Sequence, residues 1–176
     1  MDFQEHWNNA YLRTEREKLG WFETDPEPSL SLINSLNLSA SASVLDVGSG
    51  TGSLIPALLK KGFRNLTATD ISDIALQQAE QLIKDAGDYT VKFVRDDITN
   101  PVSLSEYAPF DLWHDRTVLH FMTTEQQRMG YLSSLDSLLV KGGYALIAVF
   151  APDGAKKCSG LDTRNYDTPM LQELLG

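Results

Sequence analysis

The sequence predicts an α/β domain in which a mainly parallel, doubly wound sheet carries helices on both faces. Short apolar segments typical of strands alternate with longer segments whose apolar residues repeat at helical spacing. This alternation implies right-handed βαβ units, because parallel strands need a crossover connection. The glycines at positions 48, 50 and 52 directly follow the first predicted strand. Glycines this dense weaken regular structure, so they indicate a close approach to the backbone.

The N-terminal part is predicted to be helical. Residues 5–19 show an apolar stripe, and Gly20 stands at the expected C-cap of this helix. After a turn-rich link, Ser29 is expected to cap a second helix that ends near residue 36. We interpret residues 1–38 as a helical lid, although simple packing of this segment on the sheet is compatible with the same pattern. The aromatic residues that suggest a lid are Trp7, Tyr11 and Trp21.

The core is predicted to span residues 39–150, followed by a loop and a short helix within residues 151–176. Strands are expected at 44–47, 66–69, 91–94, 110–113 and 144–150. Helices are expected at about 53–61, 73–86, 123–140 and 168–175. The signals that bound these elements are Ser72 as a cap, Gly62 and Gly87 as helix ends, Thr123 with Gln126 as a capping box, and residues 141–143 as a turn.

Composition limits the class of protein. The 176 residues are expected to form a single domain. The longest strongly apolar run, residues 144–151, is far shorter than the roughly 20 residues of a membrane helix. The N-terminus lacks the apolar segment of a secretory signal. One cysteine, Cys158, fits a reducing cytosol and is interpreted as a plain loop residue, so we expect a cytoplasmic protein.

Charge and histidine spacing exclude further classes. The net charge is −9, which argues against a nucleic-acid partner because phosphates would be repelled. The three histidines and the cysteine do not have the spacing of a zinc site, so no metal is expected.

The glycine cluster predicts a nucleoside ligand. In a doubly wound, Rossmann-like sheet, ligands bind beyond the carboxyl ends of the strands. Gly48 and Gly50 would let the backbone approach such a ligand without an intervening Cβ. Asp70, at the tip of the second strand, could accept hydrogen bonds from both hydroxyls of a ribose.

The spacing around the glycines separates two classes of ligand. A dinucleotide site prefers G-x-G-x-x-G/A, whereas this chain has D-x-G-x-G-x-G, with Asp46 before the first glycine. That carboxylate would repel a pyrophosphate and attract an ammonium group. The pattern therefore favours S-adenosylmethionine over a nicotinamide dinucleotide.

Four ordered motifs carry a family resemblance. They are VLDVGSGTGS at 44–53, ATDIS at 68–72, FVRDDI at 93–98 and LLVKGGYALI at 138–147. Together they resemble the class I, seven-strand S-adenosylmethionine-dependent methyltransferases over about residues 40–150. The ordered set is specific, whereas any one motif alone is weak.

A second resemblance concerns a subgroup. HW at 6–7, GWFE at 20–23, PSL at 28–30 and DLWHDR at 111–116 resemble a group of small bacterial methyltransferases of mostly uncertain substrate. This resemblance would cover nearly the whole chain, but it says little about the methyl acceptor.

The family resemblance implies S-adenosylmethionine as cofactor and suggests residues that bind it. Asp46 would hold the glycine loop and face the methionine ammonium, unless it is a strand-end residue satisfied by backbone amides. Asp70 would bind the ribose, unless it caps the helix at 73–86, a role that Ser72 can already fill. Asp97 would accept from the adenine amino group, while Asp96 would be a solvated or turn residue. The predicted set is completed by Ile71 and Ile98 as apolar walls for the adenine and by Trp7, Trp21, Gly48, Ser49, Gly50 and His114.

The residues after strand four are the catalytic candidates. His114 could contact the methionine part, and Asp115 could hold a substrate or act as a base. His120 could face the same pocket, although a lone histidine is more often structural. A structural pair of Asp115 with Arg116, tying the strand to the next helix, is an equally good interpretation.

The predicted reaction is in-line transfer of the methyl group to a nucleophile, which leaves S-adenosylhomocysteine. The chain lacks the N-P-P-Y-like stretch after strand four that the resemblance implies for methylation of exocyclic amines or glutamine. Together with the acidic charge, this argues against DNA and release-factor substrates, and we expect a small-molecule acceptor first and a protein lysine second. A non-catalytic S-adenosylmethionine-binding or interaction protein is the alternative from another class, and a nicotinamide-dependent oxidoreductase is the third.

The resemblance also bears on the sheet edge. The resemblance implies a sixth strand and an antiparallel seventh strand after the helix near 168–175, and we expect this chain to lack them. Strand five is therefore expected to be an apolar edge strand, and we expect self-association through it.

Overall fold

The computed structural model describes residues 2–85 and 91–176, and it confirms the doubly wound parallel sheet. The strands of this sheet are β1 (Ser43–Val47), β2 (Asn65–Asp70), β3 (Lys92–Arg95), β4 (Phe110–Arg116) and β5 (Leu139–Ala148). They lie in the order β3-β2-β1-β4-β5, and neighbouring strands are parallel. The chain order therefore reverses at β1, where doubly wound sheets bind ligands.

Helices flank the sheet near the predicted positions. They are α1 (Phe3–Arg13), α2 (Glu27–Ser35), α3 (Leu54–Lys60), α4 (Asp73–Asp85), α5 (Glu125–Leu138) and α6 (Thr168–Leu175). Ser72 caps α4 as predicted, because its Oγ accepts from the amide of Ala75 at 3.1 Å. The predicted helix end at Gly87 lies outside the described residues. A short antiparallel pair that was not predicted, β6 (Lys157–Cys158) and β7 (Leu161–Asp162), follows β5.

The core has two halves, one on each face of the sheet. Val44 and Leu112 pack in one cluster with side chains of α2 and α3. Leu45 and Trp113 pack in the other cluster with side chains of α5. Successive residues of a strand point to opposite faces, so this division follows directly from the register of β1 with β4.

The N-terminal helix is shorter than predicted. It ends at Arg13, Thr14 is extended, and a short 3-10 turn follows at Arg16–Lys18. The turn brings the Arg16 side chain to the backbone oxygen of Thr51, at 2.7 Å, and buries Leu19. The chain therefore bends because this segment packs on the glycine loop, which helical periodicity alone cannot reveal.

The chain around β4 and β5 also differs from the predictions. β4 continues to Arg116, since both neighbouring strands pair with its last residues. The expected turn at 141–143 is instead part of β5, where the pairing register with β4 shifts. The capping box of α5 uses Thr124 and Gln127, one residue later than predicted.

Strand β5 lies at one edge of the sheet, as predicted. Self-association through this edge stays a prediction. Within the two described ranges, no helix combines the length and apolarity needed to cross a membrane.

Candidate active site

A cleft with two adjoining lobes opens at the carboxyl ends of β1, β2 and β4. The first lobe, of about 670 Å³, lies beside the tip of β2 and is lined by Asp70, Ile71, Asp97 and Ile98 among others. The second lobe, of about 570 Å³, lies over the glycine loop, residues 48–52, and beside His114. The residues shared by both lobes are Tyr11, Trp21, Val47, Gly48 and Thr117.

The glycine loop depends on two left-handed residues. Gly48 has φ +61° and Gly50 has φ +52°. A Cβ at Gly48 would collide with the side chain of Val118, and one at Gly50 would collide with the hydroxyl of Tyr11. The side chains of Val118 and Tyr11 therefore approach the glycine backbone closely, whereas the approach of a ligand stays a prediction.

Asp70 fastens this loop to the tip of β2. One carboxylate oxygen accepts from the amide of Gly50 at 2.9 Å and the other from Ser72 at 2.8 Å. Burial raises the pKa of Asp70 to about 6, although its hydrogen bonds to backbone amides oppose the shift. Each oxygen keeps lone-pair capacity beyond its amide contact, so this carboxylate can also accept from ribose hydroxyls.

The two acids after β3 have different roles. Asp97 is exposed, lines the first lobe and accepts from the amide and hydroxyl of Thr99 through Oδ1. Asp96 is buried and accepts from the amides of Val102, Ser103 and Leu104. The turn role expected for Asp96 fits these contacts, whereas a solvated position is wrong.

His114 faces the second lobe together with Asp46. The two residues are opposite each other in the register of β1 and β4, so their side chains share a face of the sheet. Nδ1 of His114 lies 2.7 Å from Oδ1 of Asp46, and Nε2 lies 2.9 Å from Oγ of Ser29. Ser29 therefore does not cap α2, which begins at Glu27. Asp46 is held by an imidazole rather than by the backbone amides of the alternative interpretation.

Asp115 points to the opposite face and lines neither lobe. Its carboxylate is fully buried and accepts from Tyr131 Oη at 2.6 Å and from the amides of Val118 and Leu119. Burial raises the pKa of Asp115 to about 6. The prediction that Asp115 holds a substrate or acts as a base is therefore corrected, because its carboxylate stabilises the turn after β4.

The suggested pair of Asp115 with Arg116 is also wrong. Arg116 instead donates to the backbone oxygen of Trp21 at 2.7 Å, and its guanidinium lies 3.5 Å from Glu23. It ties β4 to the N-terminal segment rather than to the following helix.

His120 is fully buried and lines neither lobe. Its ring contacts Phe121 and Phe150, at centroid distances of 4.3 and 4.5 Å. Neither ring nitrogen has a hydrogen-bond partner among the described residues. Burial lowers the pKa of His120 to about 4, so the ring is neutral at pH 7. The predicted catalytic role of His120 does not fit this position, and the structural alternative does.

Thr117 and Cys158 are among the cleft residues that sequence reasoning did not predict. Thr117 borders both lobes and has φ +75°, a conformation that costs a β-branched residue free energy and that clusters at functional sites. Cys158 lies on β6 and lines the first lobe, so it is not the plain loop residue that we expected. No local sequence signal marks either residue, because the turn after β4 and the position of β6 are set by tertiary contacts.

Aromatic rings cover the first lobe. Trp7 makes edge contacts with Trp21 and Phe121, and Trp21 Nε1 donates to Tyr11 Oη at 3.2 Å. Helix α1 is fastened over the lobe by Asn8, which bonds to the side chains of Asp73 and Ser72. The predicted positions of Trp7 and Trp21 beside the ligand site agree with this arrangement.

A comparison with family models decides the class of protein. Residues 45–145 match the model described as "Methyltransferase domain". The chain belongs to this methyltransferase family. The match includes the glycine loop, Asp70, Asp97 and His114.

Curated relatives of this methyltransferase domain come from animals. EEF1A lysine methyltransferase 2 of Danio rerio is 26% identical over 157 residues, and the Homo sapiens protein is 29% identical over 157 residues. Each alignment covers 82% of this chain and 66% of the relative, so the chain spans slightly less than two thirds of their length. The resemblance to a small bacterial subgroup stays a prediction.

A solved structure agrees with the fold. Magnesium protoporphyrin IX methyltransferase from Synechocystis, with bound S-adenosylhomocysteine, superposes with a TM-score of 0.72 at 16% identity. The match covers 97% of this chain and 84% of that chain. At this identity the likeness shows the shared methyltransferase fold alone.

The cleft of this methyltransferase domain fits S-adenosylmethionine, the family's cofactor. The first lobe offers the Asp70 carboxylate for ribose hydroxyls, with Ile71 and Ile98 as apolar surface for the adenine. The second lobe offers the Asp46 carboxylate for an ammonium group. A bare pyrophosphate would meet Asp46 unfavourably, as the sequence spacing indicated.

Replacing Gly50 with alanine should weaken cofactor binding more than tenfold, because the new Cβ displaces the Tyr11 hydroxyl from the cleft. Gly62→Ala is the matched control, since Gly62 also has a positive φ but no atom lies within 4 Å of the added Cβ. Left-handed strain should destabilise both variants by roughly 1–2 kcal/mol. Calorimetric titration and urea unfolding would measure the two effects. Wild-type affinity of Gly50→Ala for S-adenosylmethionine would contradict the assignment of the cleft over the glycine loop as the cofactor site.

The affinity for S-adenosylmethionine should fall as the pH drops below about 6, where Asp70 takes up a proton. Because pH 5 lies one unit below this pKa, the affinity at pH 5 should be about tenfold lower than at pH 7. Asp70 and Asp115, whose pKa values are raised in the folded protein, add stability as the pH falls from 7 to 5, whereas the buried His120, whose pKa is lowered, subtracts stability over the same range, so unfolding must be measured separately. Titrations at both pH values, with unfolding curves as controls, test this; an unchanged dissociation constant would contradict it.

Proposed function

We propose that this methyltransferase domain transfers a methyl group from S-adenosylmethionine to the side-chain amine of a lysine in a protein. The match of 82% of the chain to proteins named EEF1A lysine methyltransferase 2 carries the proposal. An EEF1A protein is therefore the first acceptor to test. The small-molecule acceptor that we expected first from the sequence becomes the second choice, because these relatives are named for a protein lysine.

The surroundings of the lobe junction support an amine acceptor. Trp21 and Tyr11 border both lobes, and Trp7 and Phe121 line the first lobe beside them. The faces of such rings attract cationic and partly cationic groups through their quadrupole. The net charge of −9 also favours a basic protein surface as partner over an acidic one.

The cofactor supplies the activated methyl group, and the chain supplies binding, orientation and exclusion of water. Asp70 and Asp46 would hold the two ends of the cofactor, one in each lobe. The aromatic rings over the first lobe would limit the access of water beside the junction. Aligning two reactants in this way can contribute on the order of 7–11 kcal/mol to lowering the barrier.

A side-chain base is not part of this mechanism. Asp115 and His120, the predicted base candidates, lie outside both lobes, and both nitrogens of His114 are committed to hydrogen bonds. The lysine amine would therefore lose its proton to solvent before the transfer. A neutral amine is a good nucleophile, so alignment is the main contribution required of the protein.

Incubation of the chain with S-adenosylmethionine carrying a labelled methyl group and with purified EEF1A should label a lysine of EEF1A, as identified by mass spectrometry. Asp70→Asn should lose more than nine tenths of this activity, because it weakens the ribose acceptor. Asp85→Asn is the matched control, since Asp85 is an exposed residue at the end of α4.

Two outcomes would contradict the proposal. In a parallel incubation with cell extract, label that appears only in low-mass compounds, with none on EEF1A, would favour the small-molecule acceptor. Cofactor binding without transfer to either class of acceptor would favour the non-catalytic binding protein.

A further inference from the structure

Three buried side chains from three elements form a hydrogen-bonded array beside the second lobe. Ser29 lies on α2, His114 on β4 and Asp46 on β1. Ser29, His114 and Asp46 are 7%, 3% and 5% exposed, and all three line the second lobe. The two hydrogen bonds, of 2.9 and 2.7 Å, run in sequence from the serine through the imidazole to the carboxylate. A buried array of this kind is costly unless each polar group is satisfied.

For a neutral imidazole, the chemistry of the groups gives the proton positions. An ionised carboxylate only accepts hydrogen bonds, so the 2.7 Å contact places a proton on Nδ1 of His114. In a neutral imidazole Nε2 is then an acceptor, and the Ser29 hydroxyl donates to it. Each donor in the array therefore points toward Asp46. Oδ2 of Asp46 accepts no side-chain hydrogen bond from the described residues and is left for a ligand in the second lobe.

A carboxylate held on one oxygen by a buried donor has a fixed rotamer. Without that donor, the Asp46 side chain could turn toward any amide of the glycine loop, and its free oxygen would no longer have a defined direction. Similar outer partners orient carboxylates and imidazoles at metal sites, where their loss typically costs 10- to 100-fold in affinity. His114 depends in turn on Ser29, which connects the direction of Asp46 to the position of α2.

We propose that His114 is a positioning residue that lets the domain distinguish the whole cofactor from its adenosine part. The imidazole aims Asp46 at the ammonium group of the methionine part, and Ser29 holds the imidazole in the tautomer that does so. The adenosine part binds in the first lobe, which the array does not touch. This inference rests on the cofactor assignment and is independent of the proposed lysine acceptor.

Two variants of His114 separate the contacts of its two nitrogens. The amide nitrogen of asparagine can take the place of Nδ1, and that of glutamine can take the place of Nε2. His114→Gln removes the donor to Asp46 and should weaken S-adenosylmethionine binding about 10- to 100-fold, as expected for a hydrogen bond to a charged group. His114→Asn keeps a donor to Asp46 and should lose clearly less affinity.

The adenosine analogue 5′-methylthioadenosine, which lacks the amino-acid part, is the matched ligand. Its affinity should change less than twofold in both variants, as measured by calorimetric titration. A third variant, Ser29→Ala, should reduce the preference for the Nδ1–H tautomer of His114, which nitrogen-15 chemical shifts of the ligand-free protein report.

Each alternative result identifies what has failed. Equal weakening of both ligands in His114→Gln would show a merely structural role and overturn the proposal, as would equal losses in the asparagine and glutamine variants. A wild-type His114 with its proton on Nε2 would also overturn it. A wild-type chain that binds neither ligand would overturn the cofactor assignment together with this proposal. Absence of lysine methylation, with the binding results as expected, would leave the positioning role intact and refute only the proposed acceptor.

Discussion

The Asp70 carboxylate is the constraint on which the rest of the site depends. It joins the amide of Gly50 to the tip of β2 and, through Ser72, to the start of α4. The amide of Ser49 adds a bond to the backbone oxygen of Thr69. These bonds hold the glycine loop in the open, left-handed form that Gly48 and Gly50 permit. Without them, the loop would have neither a fixed shape nor a carboxylate beside the first lobe.

Strand register distributes the polar residues of β1 and β4 between the cleft and the core. Asp46 pairs with His114, and Val47 pairs with Asp115. Because side chains alternate along a strand, His114 reaches the second lobe, whereas Asp115 enters the core beside Tyr131. Both buried acids, Asp70 and Asp115, bind backbone amides of the turn that follows their strand. Only Asp70 faces the cleft. Both carboxylates therefore stabilise a turn, but only that of Asp70 is placed to contact a ligand.

The sequence predicted the sheet and the position of the glycine loop and Asp70 beside a cleft because these depend on local signals. The residues that give the strand periodicity, the glycine spacing and the position of Asp70 are all close in sequence to the strands and the loop that they determine. The roles of Asp115 and His120 were wrong because they depend on which face of the sheet a side chain occupies and on what packs there. Because β4 was predicted to end at residue 113, the sequence did not predict which face of the sheet the side chains of residues 114–116 would occupy. Thr117, Cys158 and the bond of Ser29 to His114 depend on contacts between distant segments, which the sequence pattern does not encode.

The central claim is that the glycine loop and Asp70 form a site for a sulfur nucleoside rather than for a dinucleotide. Calorimetric titration of the purified chain with S-adenosylmethionine, S-adenosylhomocysteine and NAD, in parallel, tests this claim most directly. The account predicts micromolar binding of the two sulfur nucleosides and no binding of NAD. Binding of NAD, or failure to bind either sulfur nucleoside, would contradict it.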